Sequence, residues 1–338
     1  MSAWRPPRDA ALIIALLVAI GLGLFAATLL GSTPLPLTRV LGALAGVGTP
    51  GDAIVVWEIR LPRAAAALLV GIALGVSGAA LQGLLRNPLA EPGVLGVSAS
   101  ATLGATLVLY YGLGTVSVFL VPMSAALAAV LATALLAAVA LRVRSVVTLI
   151  LVGVGLSSFV GAVMALLLNL APNPFSLADM INWTLGTVAN RSARDLAVAV
   201  PFIGTGVAIL LISRRPLTAL ALGEEAAAAV GVHLAQARLR VVIGAGIATG
   251  GAVALAGAVG FVGIVAPHVV RPLVQYDPAR TLIPAGLLGG LVLVLADIAV
   301  RLVPTSSELK LGVVAALLGA PAFVWIAMQR RSGQGERP

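Results

Sequence analysis

Apolar runs of membrane length, separated by short polar breaks, occupy most of the chain. They fall near residues 10–31, 62–84, 94–112, 117–141, 146–169, 195–213, 239–258, 261–275, 281–303 and 310–329. Most reach the roughly 20 residues that carry a helix across a bilayer core. The breaks are rich in Pro, Gly, Asn and Arg, which end helices or mark a membrane surface. The pattern predicts an all-α integral membrane protein of about ten transmembrane helices, forming a single transmembrane domain over residues 1–338. The eighth run is short for a crossing and contains Pro267, so parity needs separate support. The first follows Arg5 and Arg8 but carries no A-x-A site ahead of Pro34 and Pro36, and is expected to stay as a helix.

Arginine supplies the support for parity. With both termini cytoplasmic, 14 basic residues fall on that side, among them Arg86, Arg142, Arg144, Arg214, Arg215, Arg238, Arg240, Arg271 and Arg280. The other side holds 7, namely Arg39, Arg60, Arg63, Arg191, Arg194, Arg301 and Lys310. That bias fits an even count in this orientation. Composition agrees, since 60% hydrophobic against 10% charged residues leaves too little polar surface to cover a soluble globule. The net charge of +9 sits in short clusters between spans and reads as topology, not as a nucleic-acid surface. Cysteine is absent, which removes disulfides and thiolate metal sites from consideration, and no metal site is expected.

The most specific stretch is RLPRAAAALLVGIALGVSGAALQGLLRNPLAEPGVLGVSAS, from Arg60 to Ser100. Arginines bracket its apolar segment on one side, and the Arg86-to-Gly93 turn, with Pro88 and Pro92, stops it on the other. The RLPR opening and NPLAEPGxLG turn resemble the FecCD family of ABC-importer permeases, which take up cobalamin, haem and ferric siderophores. LGEEAAAAVGV at 222–232 and GFVGIVAPHVVR at 260–271 match the same family, so the resemblance covers nearly the whole chain. It implies a type II ABC importer permease fold in the cell inner membrane, built on an inverted repeat. Two small-residue segments of opposite predicted direction, Gly75 to Gly93 and Gly244 to Pro267, fit that repeat, and small residues also serve close helix packing.

The longest cytoplasmic loop, 213–240, contains Leu222, Gly223, Glu224, Glu225, Ala226, Val230 and Gly231. Two glutamates before four alanines predict a short helix with acid in its first turn and Gly231 as its stop. His233 is expected to close that helix. In the family this loop couples to the ATP-hydrolysing subunit. No G-x-x-x-x-G-K-[ST] phosphate loop is present, so ATP and its Mg²⁺ are expected on a separate ATPase subunit, with no cofactor held here and no catalytic residue.

On the opposite side the resemblance assigns Arg60, Arg63 and Arg301 to docking a periplasmic substrate-binding protein, with guanidinium groups receiving carboxylates. Asp297 stands four residues before Arg301, the spacing at which the pair can meet. The resemblance also places a cytoplasmic gate at Asn87 and Leu89, with a second constriction at Val146 and Val147, where the cobalamin permeases are small and polar. Trp183, in a WxLG element, belongs to a short gating helix or anchors the interface. His268 is read as a structural cap.

Two other classes fit the sequence less well. Gly75-Val76-Ser77-Gly78 spells the GxSG of intramembrane serine proteases, but such a match is cheap in a glycine-rich helix. An ion-coupled carrier should hold acids at mid-membrane, whereas every acid except Asp297 is expected at a loop or span end. The resulting expectation is a permease subunit, not an enzyme, working as a homodimer with two ATPase subunits and a binding protein. Its expected cargo is an iron chelate, haem or ferric siderophore, with cobalamin as the alternative.

Overall fold

The computed structural model describes residues 6–31, 35–117, 119–142, 145–303 and 308–332. Among these residues there is no strand. The helices in chain order are α1 (Pro6–Leu29), α2 (Leu37–Leu44), α3 (Pro50–Ala53), α4 (Leu61–Leu85), α5 (Val97–Tyr110), α6 (Leu120–Arg142), α7 (Val146–Asn169), α8 (Pro174–Thr184), α9 (Ala193–Ile212), α10 (Arg214–Leu220), α11 (Glu224–Ala229), α12 (Leu234–Ala256), α13 (Val262–Val270), α14 (Pro278–Leu302) and α15 (Leu311–Ser332). Among the described residues α1, α4, α6, α7, α9, α12 and α14 are long and apolar enough to cross a membrane, while α5, α13 and α15 supply shorter apolar segments. Together they match the ten runs read from the sequence.

The segment from 37 to 60 was not anticipated. Thr49 caps α3, a π-helical turn (Ile54–Arg60) follows, and the chain enters α4 without a break. Val40, Ala43 and Val56 form a small buried cluster. The Trp57 indole donates to the Ala43 carbonyl at 3.1 Å, and Arg39 pairs with Asp52 at 2.6 Å.

Helices α4 and α12 occupy the centre, and small residues let their neighbours come close. A Cβ on Gly71, Gly75 or Gly78 would collide with the backbone of Gly289, Ala285 or Gly263. The contacts advance along α4 as they retreat along α14, so those helices are antiparallel. Gly246 opposes Thr133 and Gly250 opposes Ala129, giving α12 and α6 the same relation. Helix α5 packs on α6 as α13 packs on α14. The α4–α7 and α12–α15 sets thus repeat one contact pattern. The N-terminal half of α4 shares a buried cluster with the C-terminal half of α12, so the two central helices run in opposite senses, as an inverted repeat requires.

Both repeats interrupt the membrane with irregular backbone. After α4 the chain turns at Arg86, in a left-handed conformation (φ 48°), and runs without helix to Val97. After α12 it does the same from Gly257 to Phe261. Helices α5, with 14 residues, and α13, with 9, are about 21 and 14 Å long, short of a bilayer core of about 30 Å.

Candidate functional site

The two irregular segments meet at the middle of the bundle. Ser157, halfway along α7, donates to the Gly93 carbonyl at 3.2 Å. Gly289, near the middle of α14, faces Val262, and Gly263 faces both Leu74 of α4 and Glu91. Non-helical backbone at this depth requires protein partners, because lipid offers none. Glu91 supplies one, accepting the Phe261 backbone N–H at 3.2 Å, where Phe261 opens α13 in a left-handed conformation (φ 66°). Gln82 of α4 donates to the Gly263 carbonyl at 2.9 Å and accepts from Arg271. The prolines and glycines around Glu91 predict a surface turn. Glu91 lies at mid-depth instead, because the chain after α4 folds back into the bundle before α5 begins.

Arg60, Arg63 and Arg301 come together as expected, but they face inward. Arg60, only 6% exposed, donates to the Thr28 and Leu29 carbonyls at 2.6 and 3.0 Å and so caps the end of α1. Arg301 donates to the Ala27 and Leu30 carbonyls, both at 3.1 Å. Asp297, 1% exposed, lies 2.7 Å from Arg63 and 3.1 Å from Arg301, and Glu308 also pairs with Arg63. The cluster ties α1, α4 and α14 together beside a cavity of about 210 Å³ lined by Arg60, Arg63, Arg301 and Glu308. At its other end α1 is held to α14 by a bidentate contact of Arg280 with Asp9, at 2.7 and 2.6 Å.

The opposite face carries α10 and α11. Leu217 and Leu220 of α10 are buried with Ala227 of α11. Helix α11 spans the predicted glutamates and alanines, and ends in two closing bonds, Gly231 N–H to Ala228 at 2.9 Å and Val232 N–H to Ala227 at 3.0 Å, with Gly231 at φ 84°. Glu225 is exposed, whereas Glu224 pairs with Arg238 of α12 at 2.6 Å. Leu222 and Val230, 80% and 73% exposed, flank α11. Two expectations change here. The loop is shorter than 213–240, because α12 starts at Leu234, and His233 is the residue preceding α12, not the end of α11.

The predicted gate residues lie toward the same face. Arg86, next to Asn87, approaches Gly223. Asn87 accepts the Leu89 N–H at 3.0 Å, a local turn that fixes the break after α4. Ser145 caps α7, and Val147 in its first turn is exposed. The Val146 side chain lies outside the described residues. His268 falls in the last turn of α13, and Trp183 ends the short helix α8, its ring 5.3 Å from the Arg191 guanidinium.

The crossing helices, the central interruption and the protruding α10–α11 pair define a multi-pass ABC importer permease, and comparison with known proteins agrees. The chain belongs to the FecCD transport family, whose model matches residues 15–329. It is 37% identical to the uncharacterized ABC transporter permease protein YvrB of Bacillus subtilis (strain 168), over 97% of this chain and 96% of that protein. It is 38% identical to the vitamin B12 import system permease protein BtuC of Salmonella typhi, over 83% of this chain and 87% of that one. A solved structure described as "an inward-facing conformation of a putative metal-chelate type ABC transporter" superimposes with a TM-score of 0.85 at 28% identity, covering 95% of this chain and 99% of that one.

Proposed function

We propose that the chain moves a metal chelate from periplasm to cytoplasm as two identical permease copies, with two ATPase subunits on the α10–α11 face and a substrate-binding protein on the Arg63 face. The observation that carries the reading is α11 itself, a short helix outside the apolar bundle, flanked by the exposed apolar side chains Leu222 and Val230. Such a surface gains by docking. One α11 per chain, with two copies, gives each ATPase its own contact. On the other face, a carboxylate of the binding protein would displace Glu308 from Arg63 at the rim of the 210 Å³ cavity. Asn87, Leu89, Val146 and Val147 would form the inner constriction.

Cobalamin is the first candidate cargo, supported by 38% identity to vitamin B12 permeases, which reverses the order preferred from sequence. An iron chelate, haem or ferric siderophore, is the second, in keeping with the metal-chelate description of the solved relative. The test is ATP-dependent uptake in vesicles holding the permease with its cognate ATPase and binding protein. Cyanocobalamin should accumulate and haemin should not. Accumulation of haemin or a ferric siderophore alone reverses that order, and accumulation of none of the three, with ATP hydrolysis intact, overturns the cargo class.

A further inference from the structure

Helices α6 and α9 both pack along α12 but scarcely touch each other, which leaves a groove of about 710 Å³ between them. Its floor is small, Ala254 and Ala256 of α12, and its walls include Leu127 of α6 and Phe202 of α9, which are 61% and 38% exposed. These two side chains lie seven residues past Leu120 and nine past Ala193. The groove therefore reaches about 10 to 14 Å into the bundle from the α8 side, close to the depth of one leaflet of a core about 30 Å thick.

The roof of the groove is polar. Trp183, Arg191 and Lys310 line it, and the Arg191 guanidinium stacks over the Trp183 ring. Arg191 Nε and the indole Nε1 are both buried and have no hydrogen-bond partner among the described residues. Burial lowers the Arg191 pKa, and Asp195 opposes that shift. Asp195 is itself committed to the N-terminus of α9, where it accepts the Ser192 N–H and O–H, both at 2.8 Å. Asp179 stands exposed at the rim. Two buried donors thus line an apolar, leaflet-deep trough and bond to no acceptor among the described residues, and buried donors are normally satisfied.

The geometry points to a phospholipid site, in which a phosphodiester accepts from Arg191 and Trp183 at the roof while one acyl chain lies in the trough between α6 and α9 on the small residues of α12. A chelate cargo fits this groove less well, because its walls open sideways to the membrane and not toward the Glu91 junction.

Native mass spectrometry of the full-length protein, extracted in mild detergent and exposed to phosphatidylethanolamine, tests the site. Wild type and a Leu22→Ala control on the lipid-facing surface of α1 should each retain one phospholipid per chain after detergent washing. Arg191→Gln should bind it about tenfold more weakly, the least expected from losing a charge-assisted hydrogen bond. Ala254→Phe, which fills the trough floor without touching the charge, should also lose it. A second reading guards against misfolded variants: added phosphatidylethanolamine should raise the melting temperature of wild type and not of either variant. Equal retention by wild type and both variants, or no retained phospholipid in wild type, overturns the site. Displacement of the retained lipid by cyanocobalamin or haemin would overturn it in favour of cargo.

Discussion

Asp297 is a buried carboxylate between two guanidinium groups, and its neighbours show how this chain keeps charge inside an apolar bundle. Arg63 and Arg301 share it, while Nη1 of Arg301 and Nη1 of Arg60 donate to carbonyls left open at the end of α1. Removing one member of a buried ion pair strands the others, at a cost of about 3–5 kcal/mol. Asp297→Asn should therefore lower the melting temperature of the detergent-solubilised permease sharply, whereas Glu308→Gln, at the exposed rim, should change it little. Equal effects would show that Glu308 neutralises Arg63 as much as Asp297 does. Glu91 poses a separate question, because it serves one backbone N–H at mid-depth. Glu91→Gln keeps an acceptor oxygen and should be tolerated, while Glu91→Ala leaves the Phe261 N–H unsatisfied and should cost about 1–3 kcal/mol of stability. If both variants melt alike, the hydrogen bond to Phe261 is not what Glu91 contributes.

Helix contacts turn these local arrangements into a frame. The α4–α14 and α4–α13 crossings depend on glycine because backbone meets backbone there, so Gly78→Ala must push α13 away from α4 and should destabilise by about 1–3 kcal/mol. Gly21→Ala in α1, with nothing near its Cβ, should be neutral or slightly stabilising. A Gly78→Ala permease as stable as wild type would mean that the crossing has slack. For α11, Glu224 is a poor probe because it also holds Arg238; Leu222→Ser with Glu225→Lys alters the exposed surface alone. That double variant should fold normally and lose ATPase subunits in pull-downs, and retention of the ATPase would remove α11 from the contact. The ten apolar runs were legible because bilayer length writes itself into composition, and α11 because its alanines, glutamates and Gly231 obey local rules. The segment 37–60 was not, since Arg39 and Asp52 satisfy each other and Trp57 bonds the Ala43 carbonyl in a fold too short to show a period. Nor was the depth of Glu91. A turn of prolines and glycines reads as surface, and only the contacts of Gly93 with Ser157 and of Glu91 with Phe261 carry it inward. The arginine cluster was half legible: the motifs picked its members, but their carbonyl partners on α1 lie far away in sequence.

At the scale of the whole molecule, the bundle has two unlike faces, and its orientation in the membrane follows from which face meets ATP. The proposed orientation, drawn from the arginine bias, would put α10 and α11 in the cytoplasm and the loop between α5 and α6 outside. Because the chain has no cysteine, single replacements report on this without background. Val230, beside α11, and Val116, in the α5–α6 connection, are 73% and 75% exposed, so neither substitution disturbs the core. In intact spheroplasts a membrane-impermeant maleimide should label Val116→Cys and leave Val230→Cys unmodified; in inverted vesicles the pattern should exchange. Labelling of both sites from one side would mean an even number of crossings between them, contradicting the reading of α6, α7 and α9 as three full spans. The reverse pattern would place α11 outside, away from ATP, and would end its assignment as the coupling element.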